Sequence, residues 1–499
     1  MGTLIIGRDS SFDVQPPKCP KCGQPIAFEE YRPWTVKGLE RDRTASLNEP
    51  TIQNFLTVGK PSVIMLSNSR SDQQTSLTTA ILVENHPGTV ETSIRHSANY
   101  QQGGSMRITA IETIPVTLPV GKFKDGKDKV AGDDAPARYY QGRSLKPPRP
   151  RNREGHLALS NVIVKIHTDE GITGIGEAAC DTTEPVEVVK VMIDRYMAPL
   201  LIGENPLNWE LLIDLVSWDS SRGATRHSTS GIDLALHDLV AKAFSVPVYT
   251  LLGGCRREKM LASIEVPRGT PEQMAEHCYE YYQQGVRGIK AKIGSDPVRD
   301  VECIKAIRER LGEDISLRAD ANCGYTLDQA KTFCRLIERS GTNLELLEQP
   351  VAKHDLAGLR ELRQVTNLPI EVDESAYSLE MVHLILKEDA ADLVNTKCAK
   401  ASGIRGVKQW AAVAEAADRR IVIGTEWGAG LKVAAKLHLG AAIKNADPVV
   451  EFTEIMIHEL LLKEPLRLED GYLYVPQGPG LGLELDDDKI EMFRTPAWS

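Results

Sequence analysis

Gly288-Ile-Lys290-Ala-Lys292-Ile, Ile315-Ser-Leu-Arg-Ala-Asp320 and Leu344-Glu-Leu-Leu-Glu348 are short apolar runs that each end on charged residues. Ile370-Glu-Val-Asp373, Leu393-Val-Asn-Thr-Lys397 and Ile421-Val-Ile-Gly424 continue the series, with amphipathic stretches between them. Short strands alternating with helices of this length point to a parallel sheet, either doubly wound or closed into a barrel. The charged ends fall at steps of 320 − 292 = 28, 348 − 320 = 28, 373 − 348 = 25 and 397 − 373 = 24. One strand–helix unit per step sets all five at one height on the C-terminal ends of neighbouring strands. In a TIM-type barrel that rim is where catalytic groups converge. A doubly wound sheet would not curve five positions around one point, so the spacing favours the barrel.

Outward from this core, Ser230 to Ala243 spaces its apolar residues at three and four, a helix that Val246-Pro247 stops. Upstream, Leu157 to His167 and Ile172 to Ala178 are two strands joined by a Gly-containing turn. Met106-Arg-Ile-Thr-Ala-Ile-Glu-Thr-Ile-Pro-Val alternates as a first strand. The connection from 121 to 156 carries ten basic residues against five acidic ones, and reads either as a functional lid or as a solvated excursion. The tail, Asp470-Gly-Tyr-Leu-Tyr-Val-Pro and then Gly478-Pro-Gly-Leu-Gly482, reads as a short strand and loop returning to the earlier domain. The expected division is an extension over 1–105, an α+β domain over 106–230 completed by 466–499, and the barrel over 231–465. The extension is rich in Ser, Thr, Asn and Gln and reads as largely disordered. Its one sharp feature, Cys19-Pro-Lys-Cys22, is half of a zinc knuckle without a second pair nearby.

Bulk properties exclude little but agree. A net charge of −10 does not suggest a nucleic-acid or anionic-membrane partner. No run of apolar residues is long enough to span a bilayer, and the N-terminus lacks a secretory layout, which favours the cytoplasm. Cys180, Cys255, Cys278, Cys303, Cys323, Cys334 and Cys398 are scattered singly, as reduced thiols are.

Asp320, Glu348 and Asp373 on adjacent strands would repel one another unless a hard divalent cation sat among them. Oxygen ligands suit magnesium, with manganese as a substitute. Lys292 and Lys397 flank that position, and a metal-chelated carboxylate substrate can lose its α-proton to a lysine of lowered pKa. Lys290, two residues away on the same side of the strand, is expected to depress Lys292 by like charge. Asn322, Glu374 and Glu426 are supporting candidates. Taken singly, Lys-x-Lys is a solvated edge, Asp320 a helix cap, Glu348 a turn residue, Asp373-Glu374-Ser375 a helix start, and Lys397 a surface charge. All five at consecutive strand ends is not an accident of that kind.

Lys290-Ala-Lys292, Asp320-Ala-Asn322, Glu348-Gln-Pro350, Asp373-Glu374-Ser375 and Lys397-Cys-Ala-Lys400 resemble the strand-end motifs of the enolase superfamily, and more narrowly its muconate-lactonizing-enzyme subgroup. The helix from Gly231 to Gly254, the hairpin end Gly174-Ile-Gly-Glu177 and the tail Gly478-Pro-Gly-Leu-Gly482 resemble that family too, over 106–499. The resemblance implies a (β/α)7β barrel with an α+β capping domain. It also implies Asp320, Glu348 and Asp373 as metal ligands, Lys292 and Lys397 as acid/base catalysts, and a homo-oligomer. The mandelate-racemase subgroup opposes its lysine with a His–Asp pair, and Gly424-Thr-Glu426 has no histidine. Dipeptide epimerases carry Asp-x-Asp on the last strand, where this chain has Val450-Glu-Phe-Thr-Glu454. A muconate cycloisomerase-like isomerase (cycloisomerase or racemase/epimerase), acting on a carboxylate for which the basic segment suggests a dicarboxylate, is therefore expected. Acid-sugar or hydroxy-acid dehydration is the enzymatic alternative, and a catalytically dead barrel used as a binding module the non-enzymatic one.

Overall fold

The structure, a computed structural model, describes residues 106–120, 158–180, 184–217, 225–425, 427–457 and 459–495, plus the backbone of four short strands at 63–67, 77–81, 139–140 and 143–144. The chain forms two compact units, Met1–Gly103 and Gly104–Ser499. In the first, Val63–Ser67 and Leu77–Ile81 pair antiparallel. The Cys19/Cys22 motif lies outside the described residues, as does most of the basic connection 121–156.

The second unit begins with a three-stranded antiparallel sheet. Its strands are β1 (Ile108–Pro119), β2 (Ala158–Thr168) and β3 (Thr173–Ala179), with β2 central. Helix α1 (Arg226–Ala243) packs across this sheet and buries every residue from Ser228 to Ala241. Its sequence permits that depth because glycines sit at the crossing. A Cβ at Gly176 would stand 2.2 Å from the Gly231 carbonyl, and one at Gly231 would stand 2.8 Å from Ala178 Cβ.

Eight parallel strands follow: β4 (Lys259–Val266), β5 (Gly288–Lys292), β6 (Ser316–Asp320), β7 (Leu347–Glu348), β8 (Ile370–Val372), β9 (Leu393–Thr396), β10 (Arg420–Ile423) and β11 (Ala446–Glu451). They pair in sequence order, and β11 closes on β4 through Val449 opposite Leu261. Seven helices alternate with them, α2 (Pro271–Gln283), α3 (Pro297–Leu311), α4 (Leu327–Ser340), α5 (Leu356–Val365), α6 (Leu379–Lys387), α7 (Ile404–Ala416) and α8 (Leu431–Ala442). This is a (β/α)7β barrel. Its starts are written locally: Thr270 with Gln273, and Thr326 with Gln329, form capping boxes at α2 and α4. Pro271 and Pro297 stand at first helical positions, where no amide hydrogen is needed. All five residues of β5 and of β6 are buried, as expected of strands covered on both faces.

The tail adds β12 (Leu468–Glu469) and β13 (Tyr472–Tyr474), the latter antiparallel to β4. Farther on, Arg494 bridges to Val116 of β1. The seven cysteines among the described residues are all free. No helix there is long and apolar enough to cross a membrane.

Candidate active site

The strand registers bring the charged ends together. Lys292 lies opposite Asp320, and Asp320 opposite Glu348, on consecutive barrel strands. Lys292 Nζ donates to Asp320 Oδ2 at 2.6 Å and lies 3.1 Å from Glu265 Oε1 on β4. One step deeper, Lys290 Nζ meets Glu451 at 2.5 Å, Glu348 at 3.0 Å and Glu265 at 3.2 Å. Asn395 Nδ2 donates to Glu371 at 2.8 Å, and to Glu348 and Glu451 at 3.3 Å each.

On the far side, Lys397 Nζ donates to Asp373 Oδ2 at 2.8 Å and Lys400 Nζ to Asp373 Oδ1 at 2.6 Å. Gln349 Oε1 accepts the amides of Asp373 and Ser375, which fixes the turn after β8. Asn322 donates its amide to Asp320 and its side chain to Glu374. Asn322, Cys323 and Gln349 all hold φ between 36° and 62°, uncommon for residues with a side chain and a form of strain that clusters at functional sites. Neither Asp320 nor Asp373 caps a helix; Thr326 and Ser378 do so for α4 and α6.

Burial and electrostatics shape the ionisation. Burial works against the Lys290 and Lys397 ammonium groups, yet neighbouring carboxylates outweigh it and hold both above the ordinary range. Lys292 behaves likewise, which corrects the expectation from sequence. Lys290 does lower it, but Asp320 and Glu265 outweigh burial and that like charge together, so Lys292 is raised. Spacing shows a neighbouring lysine on the strand; it does not show an acid supplied by the first strand. Burial, with Asp320, Glu371 and Glu451 nearby, pushes Glu348 well above the carboxylate range against the pull of Lys290. Burial and then Asp373 raise Glu374 to about 7. Asp373 is held low: Lys397 and Lys400 overcome its burial.

Seven carboxylates (Glu265, Asp320, Glu348, Glu371, Asp373, Glu374, Glu451) therefore face four lysines (Lys290, Lys292, Lys397, Lys400). Glu374 Oε2 is buried without a hydrogen-bond partner. An oxygen-only donor set with more carboxyl groups than ammonium groups fits a hard divalent cation. Glu348, Glu371 and Glu451 offer oxygens within 4.8 Å of one another, although Lys290 and Asn395 already lie among them.

Reading strand ends misses Glu265, Glu371, Asn395 and Glu451. The available signal is the two-residue alternation of strands: Lys290, Glu371 and Asn395 each stand two residues before a rim residue and face the same interior. Glu426 lies outside the described residues.

Residues 145–253 match the mandelate racemase/muconate lactonizing enzyme N-terminal domain, and 273–489 the enolase C-terminal domain-like family. Among curated relatives, the N-succinyl-L-Arg/Lys racemase of Bacillus cereus is 31% identical over 67% of this chain and 90% of its own length. Muconate cycloisomerase 1 of Pseudomonas putida is 30% identical over 70% of this chain and 94% of its own length. The solved muconate lactonizing enzyme of Pseudomonas fluorescens, complexed with muconolactone, superposes with a TM-score of 0.66 at 28% identity, covering 78% of this chain and all of that one. The chain belongs to the mandelate racemase/muconate lactonizing enzyme family of the enolase superfamily. These relatives are isomerases: racemases, epimerases and cycloisomerases.

Proposed function

We propose that this chain is an isomerase that removes and returns a proton next to a carboxylate, with Lys292 and Lys397 as its two acid/base groups. One observation carries the reading. Lys292 ends the second barrel strand and Lys397 follows the sixth, half-way round an eight-stranded closed barrel. Asp320, Glu348 and Asp373, at the ends of the three strands between them, are the proposed ligands. A divalent cation there, magnesium with manganese as substitute, would neutralise the substrate carboxylate and stabilise the charge left when the α-proton departs.

Within that frame a cation among the carboxylates would offset the charges that hold both lysines protonated, leaving Lys292 to take or give the proton on one face of the α-carbon and Lys397 on the other. Lys290 stays protonated and offsets the buried charge of Glu451 while holding Glu348 in place. Asn322 orients Asp320 and Glu374, and Glu426 is a candidate substrate contact. The Glu348–Glu371–Glu451 trio is the weaker metal site, because the Lys290 ammonium already sits against two of its members.

The substrate is a small carboxylate, and a dicarboxylate undergoing cycloisomerisation is the reading we favour. Glu451 is engaged by Lys290, Asn395 and Thr425, and Glu454 by Lys436 and Thr425, so neither is turned to a substrate ammonium at the eighth strand. That weighs against dipeptides. We further propose that the chain acts in the cytoplasm as a homo-oligomer. Proton NMR in D2O with magnesium and a panel of muconates, N-acyl amino acids and dipeptides tests the reading. It predicts α-proton exchange or lactone formation for one class, lost on chelation. Metal-dependent exchange that persists in the Lys292→Ala/Lys397→Ala double variant would contradict the base assignment.

A further inference from the structure

The seventh barrel strand is followed by Gly424 to Gly430, which leads into α8 and carries Glu426. Of its described residues, several backbone groups are held by side chains from elsewhere. Thr425 N–H donates to Glu451 Oε2 at 2.8 Å, and Gly428 N–H to Glu454 Oε1 at 3.3 Å. The remaining holds come from the three-stranded sheet. Asn161 of β2 donates from Nδ2 to the Trp427 carbonyl at 3.3 Å and to Glu177 Oε1 at 2.9 Å. Glu177 of β3 accepts the Ala429 N–H at Oε1 and the Lys432 N–H at Oε2, the latter at 3.1 Å. Asn161 and Glu177 are both fully buried.

One of these holds shares its carboxylate with the active site. Glu451 presents Oε2 to Thr425 and Oε1 to the Lys290 ammonium at 2.5 Å. Lys290 in turn holds Glu348 at 3.0 Å. A continuous set of contacts therefore runs from Asn161 and Glu177, along the strand-seven segment, to the Lys290–Glu348 pair. We propose that Glu177 is a positioning residue, a buried carboxylate that clasps the Trp427–Lys432 backbone and so sets Thr425 and Glu451 against Lys290. It touches neither substrate nor reacting atoms, and its influence on turnover rests on the functional reading above.

Packing shows how little slack the clasp has. A Cβ at Gly428 would stand 2.8 Å from Lys432 Cβ and 3.2 Å from Glu177 Oε2, so a side chain there would meet the first turn of α8 first and the carboxylate second. A similar arrangement occurs one unit earlier, where Asp233 of α1 accepts the Ile404 N–H at 2.6 Å at the start of α7. The sheet-and-helix part of the chain thus caps two successive barrel helices with its own carboxylates, satisfying amides that helix starts leave unpaired. Only the Glu177 cap also leads through Thr425 to Glu451.

The test compares the full-length wild type with Glu177→Gln, Glu177→Leu and Gly428→Ala, by amide hydrogen exchange and by steady-state kinetics on the carboxylate that the wild type turns over. Expected is at least about tenfold faster exchange for peptides spanning 425–432 in Glu177→Leu, with β6 and β9 still protected. With it, kcat falls about tenfold at little changed KM, since the segment acts through Lys290 rather than on bound substrate. Glu177→Gln keeps one acceptor and should recover part of both losses. Gly428→Ala, which keeps the carboxylate but presses on Lys432 Cβ and on Glu177 where they meet, should reproduce them in milder form. Unchanged exchange at 425–432 in the Glu177 variants would overturn the clasp. So would loosened amides with unchanged kcat, or loss of protection throughout the barrel, which would mark a general stability role. A wild type inert toward every carboxylate would count against the functional reading alone, and the exchange comparison would still decide the clasp.

Discussion

Two buried clusters of charge lie close together in this molecule and are built on opposite principles. At the barrel mouth seven carboxyl groups face four lysines, so acids outnumber bases. Behind strands seven and eight, Glu177 and Glu454 are matched by Lys432 and Lys436, all four buried. The second cluster also donates and accepts backbone hydrogen bonds, from Lys436 Nζ to the Glu451 carbonyl and from Gly428 N–H to Glu454. Balanced and saturated, it needs nothing further and works as a staple. The first crowds acids together in the dry interior, where like charges interact strongly, a donor set that would suit a cation. Nearness to an active site does not make a buried charge catalytic; an excess of acids is the better guide.

The contrast can be broken most forcefully at the mouth. Asp320→Ala or Asp373→Ala removes a proposed metal ligand, and should lower turnover by about 10³-fold or more at unchanged fold, measured as kcat/KM beside circular dichroism. Retained turnover would sink the ligand assignment. In the staple the effect should fall on stability instead. Lys436→Met leaves Glu454 buried without its ion pair, and should cost about 3–5 kcal/mol in denaturant unfolding while the affinity for magnesium stays unchanged.

A third charge-capable group on α8, His438, sharpens the comparison through pH. Nδ1 of the ring accepts the Tyr249 N–H at 3.3 Å, and Nε2 donates to the Leu481 carbonyl at 3.1 Å. Only the neutral ring can do both, and burial lowers its pKa from 6.5 to about 4. The unfolded chain therefore binds a proton between these values that the folded chain does not. This contribution to stability is present above pH 6.5 and is lost as pH falls toward 4, by about 3 kcal/mol across the window. His438→Gln should flatten that part of the stability profile relative to wild type. Smaller still is the effect of the cation itself. Magnesium at about 100 times its Kd should add about 2.7 kcal/mol to the stability of the wild type, read as a rise in Tm, and less in Glu348→Gln.

The sequence carried the barrel and the rim because both repeat. A strand–helix unit every 24 to 28 residues fixes Lys292, Asp320, Glu348, Asp373 and Lys397 without knowledge of the loops between. The helix from Ser230 was equally readable from its spacing, though the structure starts it at Arg226. What did not show is whatever depends on closure. Glu451 reaches Lys290 from the last strand, which closure alone brings beside the first. Glu265 comes from the first strand, whose end carries no member of the rim series, and with Asp320 it raises Lys292 against the effect of Lys290. Leu344 and Glu345 read as strand, yet only Leu347–Glu348 pairs, since the chain before it runs in from a loop. Glu177 was visible only as the end of a motif, because its partners at 427–432 lie some 250 residues along the chain.

The central claim is that Lys292 and Lys397 serve opposite faces of one α-carbon. Separate enantiomers of a turned-over carboxylate with a stereogenic α-carbon should be incubated in D2O with magnesium and each single variant. The account predicts complementary losses: Lys292→Ala exchanges the α-proton of one enantiomer only, and Lys397→Ala that of the other. Loss of exchange from the same enantiomer in both variants, with the other untouched, would contradict it.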